Sequence, residues 1–135
     1  MTSQSTKELL KSLPVLKGKY KIIAAYYQIT SAGENMVTDE MIQTSLLIEI
    51  IETCLTILTE EEKFVIESHL IKHLTWMQIE LLFVKIWGPE NMRSERTLKR
   101  MQQNALSKIT KFINEYELEN YIAKTKFKHN NYECK

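Results

Sequence analysis

The chain has 135 residues, enough for one domain with a sizeable core or one domain with an appendage. Its 18 Lys+Arg against 17 Asp+Glu leave it nearly neutral, a total that argues for no particular partner. Hydrophobic residues at 44% and charged ones at 26% are ordinary for a folded soluble protein, and only three glycines and two prolines favour an all-α fold with long unbroken helices.

The N-terminal stretch "MTSQSTKELLKSLPV" has no apolar h-region and no small-residue cleavage site, so no secretion signal is expected. Within it Ser5 followed by Glu8 forms a capping-box signature, which predicts a short first helix ended near Pro14. Leu16, Tyr20, Ile23 and Tyr27 recur at helical spacing and predict a second helix up to about Thr30. "SAGEN" then reads as a loop. Thr38 is placed to cap a third helix carrying Ile42, Leu46, Ile50, Cys54 and Leu58 on one side. Leu47, Ile48, Ile51, Leu55 and Ile57 widen that stripe beyond what one neighbour covers, which fits either a central core helix or a homodimer interface through residues 41–58. Glu49 and Glu52 interrupt its apolar run, so no segment is expected to span a bilayer. Cys54 inside this pattern and Cys134 near the end make no disulfide framework, and a reducing cytoplasm is the expected location.

Thr59 with Glu62 is a second capping-box match and opens a fourth helix with Phe64, Ile66, Leu70 and Ile71 on its buried side. Thr75 with Gln78 is a third match and starts a fifth helix, "WMQIELLFVKIW", ended by Gly88 and Pro89. Ser94 caps a sixth, in which Leu98, Met101, Ala105, Ile109 and Phe112 share a face. Beyond Tyr121 the tail "AKTKFKHNNYECK" has little periodicity and reads as frayed. The expected organisation is therefore an N-terminal helical region over residues 1–58, for core or dimerisation, a three-helix unit over 59–113, and a helix extension with a tail over 114–135.

The near-zero total charge hides one basic segment. Residues 1–58 hold five basic and six acidic side chains, a net of −1; residues 59–90 hold three and six, a net of −3. Residues 91–113 hold six basic (Arg93, Arg96, Lys99, Arg100, Lys108, Lys111) against one acidic (Glu95), a net of +5, and the last 22 residues balance at four of each. Such a concentration is the electrostatic footprint of a phosphate-facing element. With Leu98, Met101, Ala105 and Ile109 turned inward, Arg96, Lys99, Arg100 and Gln103 project from the first two turns, the end that a helix-turn-helix protein inserts into the major groove. Arg and Gln suit forked hydrogen bonds to base edges, and Lys more often serves a phosphate. Ser94 and the free N–H groups of the first turn suit a phosphate as well. Two capped helices followed by this basic one give the order of a helix-turn-helix unit.

The stretch "LTEEEKFVIESHLIKHLTWMQI" resembles the opening of region 4 of bacterial sigma factors, with a Leu-Thr-acidic start, an apolar helix, then Trp and Ile on the supporting helix. "SERTLKRMQQNALSKI" resembles that region's recognition helix, with the serine cap Ser94, apolar Leu98 and Met101, and the Ala105-Leu106 pair. The likeness covers about residues 57–113. Chain length and the preceding helical half look more like ArpU/RinA-type phage transcriptional regulators, small proteins with a sigma-like C-terminal unit. The resemblance implies binding of double-stranded DNA at promoters and tuning of transcription by RNA polymerase, in a bacterial cell and at its nucleoid. Carried over by position, Ser94, Glu95, Arg96, Lys99, Arg100 and Gln103 would face DNA, and Trp76 and Ile79 would pack the supporting helix. Nothing resembles the aromatic-rich sigma segment that melts promoters. One departure is "GPENMR" at residues 88–93, longer than the usual turn of about three or four residues. It either extends the turn or tilts the basic helix, and Asn91 and Arg93 are candidates for backbone phosphates.

Other chemistries find less support. His69 and His73 stand one turn apart, but Glu67 lies on the wrong side to complete a metal site, and His129 and Cys134 lie in the tail. The run Glu60, Glu61, Glu62 suits a helix dipole better than acid–base chemistry. There is no phosphate-binding Gly loop, no nucleophile with a base signature and no paired carboxylates in an apolar frame, so neither an enzyme nor a cofactor is expected. The competing expectation is a helical module that binds RNA polymerase, another regulator or a toxin without touching DNA.

Overall fold

The computed structural model describes residues 1–30 and 38–124. The expected "SAGEN" loop and the tail after Lys124 lie outside them. The described residues are helical, with no strand among them: α1 (Ser3–Lys11), α2 (Leu13–Thr30), α3 (Asp39–Thr56), α4 (Glu60–Ile66), α5 (Trp76–Trp87), α6 (Glu95–Glu115) and α7 (Glu119–Lys124). None of these helices is long and apolar enough to cross a membrane.

Most helix starts are set by one side-chain oxygen each. Thr38 Oγ1 accepts the Met41 N–H at 3.2 Å. At Thr59 and Thr75 the capping box is complete, the hydroxyl accepting from the third helical residue while Glu62 and Gln78 accept from the cap backbone. The first helix departs from expectation. Its cap is Thr2, whose Oγ1 accepts the Ser5 N–H at 3.1 Å, so Ser5 lies inside the helix. Both residues are competent caps, and tertiary packing favours the earlier start: Thr6 is fully buried and shares a 2.7 Å hydrogen bond with Thr110 of α6. Pro14 then sits in the first turn of α2, where its missing N–H has no helical partner to lose.

α4 continues as a π-helical segment, Glu67–Ile71, in which the Lys72 N–H reaches back to the Glu67 carbonyl at 2.9 Å. His73 follows at φ +59°, a left-handed conformation that turns the chain toward α5. After α5, Gly88 at φ +96° leads into a 3-10 turn, Pro89–Asn91; a Cβ at Gly88 would come within 2.6 Å of Glu90 Oε1.

Two apolar clusters organise these elements. The larger joins Leu9, Leu10 and Leu13 to Leu47, Ile50, Ile51, Cys54 and Leu55 of α3, to Ile66 and Leu70, and to Ala105, Leu106, Ile109 and Ile113 of α6. Ile122 of α7 is also fully buried in it, so the ordered helical part runs past Tyr121, where the sequence suggested fraying. Burial pushes the Cys54 thiol up to about 11. The smaller cluster joins Val65, Ile79, Phe83 and Leu98, with Phe64, Leu74, Trp76, Trp87 and Met101 packed around it. The wide stripe of α3 divides between environments: Leu47, Ile50, Ile51, Cys54 and Leu55 lie in the core, whereas Ile42, Leu46 and Ile57 are exposed.

Ile109 is fully buried where α6 crosses the larger core, so Ile109→Ala is expected to cost about 2–5 kcal/mol of unfolding free energy in urea titrations. Thr75→Ala, which removes a cap only, is expected to cost about 1 kcal/mol.

Candidate nucleic-acid interface

α6 begins at Ser94, whose Oγ accepts the Thr97 N–H at 3.2 Å. From there its inner residues Leu98, Gln102, Ala105 and Leu106 are buried and lock the helix about its own axis. Glu95, Arg96, Lys99, Arg100 and Gln103 are consequently exposed on the first turns. Lys99 Nζ lies 2.8 Å from Glu95 Oε2 and 6.0 Å from the centroid of the Trp76 ring. With both partners half exposed, that ion pair contributes little and yields readily to a competing anion.

The six basic side chains of residues 91–113 separate into two groups. Arg93 Nη1 donates to the Asn91 carbonyl at 2.9 Å, its Nη2 lies 3.9 Å from Glu61 Oε1, and its guanidinium sits 5.5 Å from the Phe83 ring centroid. Lys108 Nζ donates to Glu62 Oε1 at 2.8 Å. Both are therefore drawn to the acidic first turn of α4. Arg96, Lys99, Arg100 and Lys111 remain on the exposed side of α6. Burial pushes the Glu62 carboxyl up, but the Lys108 ammonium and the Thr59 backbone N–H outweigh it and hold the group below its ordinary value.

The turn between α5 and α6 is built rather than loose. Asn91 Nδ2 donates to the Trp87 carbonyl at 2.7 Å and closes the end of α5, and the Met92 N–H reaches the Pro89 carbonyl at 3.2 Å. The side chains of Asn91 and Arg93, candidates for phosphate contacts on sequence grounds, are both engaged within the fold. Arg93 stands apart from the Ser94–Glu95–Arg96–Lys99–Arg100–Gln103 surface and braces the start of α6 against Phe83.

Beside this surface lies a cleft of about 350 Å³, lined in part by Lys7, His69, Trp76, Lys99, Gln102 and Gln103. Lys7 belongs to α1 and brings a further cation next to α6, a residue that the local charge count could not place there. His69 stacks on Trp76 at 4.0 Å between centroids, and its Nδ1–H donates to Gln102 Oε1 at 2.6 Å. The π-helical turn breaks the simple one-turn relation of His69 to His73, and no group of metal-ligating side chains occurs among the described residues. Burial of His69 lowers its pKa; Gln102 opposes this, and the nearby charges of Lys7, Lys11 and His73 add to the lowering.

No protein-family model, no curated protein and no solved structure matches the chain.

Because the folded imidazole holds its proton less tightly than the unfolded one, His69 contributes stability that is present above the ordinary value of 6.5 and is lost as pH falls toward and through the folded pKa. An NMR titration is expected to place its midpoint below 6.5, with thermal stability declining over the same interval. A midpoint at or above 6.5 would contradict the stacked, partly desolvated ring.

Proposed function

We propose that the protein is a sequence-specific DNA-binding transcriptional regulator in which α4, α5 and α6 act as a helix-turn-helix unit. The observation that carries this reading is the outward grouping of Arg96, Lys99, Arg100 and Gln103 on the first turns of α6, above a fully buried inner face. In the major groove, Arg96, Arg100 and Gln103 read base edges, Lys99 exchanges Glu95 for a phosphate, and Glu95 accepts from a cytosine amino group. Ser94 and the first-turn N–H groups take a backbone phosphate, and Lys7 adds a flanking one. The resemblance to sigma region 4 and to ArpU/RinA-type regulators extends the proposal to promoters, to RNA polymerase as partner, and to a phage or prophage protein working in the cytoplasm at the bacterial nucleoid.

A second reading, a module that binds protein rather than DNA, draws on the outer face of α5. Met77 and Leu81 are exposed there, and Ile86 near its end and Met92 just before α6 are exposed as well. A polymerase surface suits such a face. The two readings make different demands on salt.

Binding to random genomic fragments is expected to weaken steeply with salt for the wild type and less steeply for an Arg96→Ala/Lys99→Ala/Arg100→Ala variant, by about 0.9 in the log–log slope for each lost phosphate contact. At the protein's own site, Arg96→Ala and Arg100→Ala are each expected to cost about 1–3 kcal/mol. Absence of binding at low salt would leave the protein-binding reading.

A further inference from the structure

α2 is apolar yet barely buried. Among its described side chains only Leu13, at its start, is enclosed; the helix packs on α3 and touches α1, and its far side is exposed. That far side carries Val15, Gly18, Ile22, Ala25 and Ile29, alternating three and four residues apart as a two-helix seam does. Val15 and Ile22 are each 72% exposed, Ile29 is 79% exposed and the adjacent Tyr26 is 60% exposed. Gly18 deepens the anomaly. It is helical, and a Cβ there would meet nothing within 4 Å, so the chain's own packing gives no reason for a residue that weakens helices.

We infer that this face is the interface of a homodimer in which two α2 helices pack antiparallel about a two-fold axis at Ile22. The pattern is self-complementary in that register, which sets large apolar side chains against one another. Ile22 meets its own copy, Val15 lies opposite Ile29, and the Tyr26 ring falls over the space left open at Gly18. Charge supports a second copy as the occupant. The charged residues of α2 are all basic (Lys17, Lys19, Lys21), and those of α3 are all acidic (Asp39, Glu40, Glu49, Glu52). Two of the lysines are already neutralised within the chain, Lys17 by Glu52 at 3.1 Å and Lys19 by Glu40 at 3.3 Å. Glu40 borders the same groove as Val15, Gly18 and Ile22. Both signs of charge therefore border the apolar strip, and a two-fold axis at Ile22 brings one Lys19–Glu40 pair to the same edge as its copy.

The area is sufficient, though small. An 18-residue helix is about 27 Å long and presents a strip roughly 20 Å across, so a pair covers on the order of 1,000 Å² in total, the lower limit for a specific interface. The core has taken up Leu47, Ile50, Ile51, Cys54 and Leu55, so self-association through residues 41–58 alone would have only Ile42, Leu46 and Ile57 to offer.

The test uses the full chain without DNA, so its outcome is independent of whether α6 binds nucleic acid. Sedimentation velocity from low to hundreds of micromolar is expected to show a monomer–dimer equilibrium for the wild type and a monomer throughout for Ile22→Asp. Because that side chain is exposed, the circular dichroism of the variant should match the wild type. In a Cys134→Ser background, Ile22→Cys is expected to form a covalent dimer on mild oxidation. Val15→Cys alone should not, whereas a mixture of Val15→Cys and Ile29→Cys chains should cross-link. A wild type that stays monomeric at every concentration, a dimer that survives Ile22→Asp, or self-linking of Val15→Cys as fast as that of Ile22→Cys would each overturn the assignment.

Discussion

The burial of the inner face of α6 is the constraint on which the remaining architecture depends. Its 21 residues take part in both apolar clusters, Leu98 in the smaller one and Ala105, Leu106, Ile109 and Ile113 in the larger. α1, α3, α4 and α5 all contact it. A helix held by two cores in series has little freedom to rotate or slide, because interiors are close-packed and a shift would open voids in both. The outward residues inherit that rigidity. Arg96, Arg100 and Gln103 stand on a platform rather than on a loop, which is what recognition by paired hydrogen bonds demands.

Electrostatics then sharpen what packing has fixed. The acidic first turn of α4 is stabilised by its own helix dipole, and it also takes hold of Lys108 and Arg93. Two of the positive charges are thereby held beside α4, while Arg96, Lys99, Arg100 and Lys111 stay on the exposed side of α6. The protein stays close to neutral overall while presenting a local field of one sign. A polyanion arriving at random would be drawn to one surface and not to the molecule as a whole.

Much of this was legible in the residues themselves, and the boundary of legibility follows the range of the interactions. The caps at Thr38, Thr59, Thr75 and Ser94 are contacts over three residues, and sequence reading places all four. Ser5 misled because Thr2 competes for the same role and the choice rests on Thr110, more than a hundred positions away. The π-helical turn at Glu67–Ile71 has no local signature, since it arises where the end of α4 must satisfy both clusters at once. For α2, the inward set Leu16, Tyr20, Ile23 and Tyr27 is the one that helical spacing singles out. The same spacing also carries Val15, Ile22 and Ile29 on the opposite side, but nothing local shows that the packing of α2 on α3 leaves them exposed. Lys7 joins the candidate surface only through the contact of α1 with α6, and His69 only through its bond to Gln102 of α6 and its stacking on Trp76. The outward cations of α6 needed no such information, because one amphipathic helix decides both of its faces.

Cys54 gives the larger core a chemical readout of its own. Thiols react as thiolates, and a group pushed up to about 11 holds only about one part in ten thousand in that form at neutral pH. Enclosure by Leu47, Ile50 and Ile51 adds a steric barrier. Alkylation in the native state must therefore wait for α3 to part from its neighbours, and its rate is set by how often that opening occurs. The residue is an internal clock for breathing of the bundle, silent while the helices hold together.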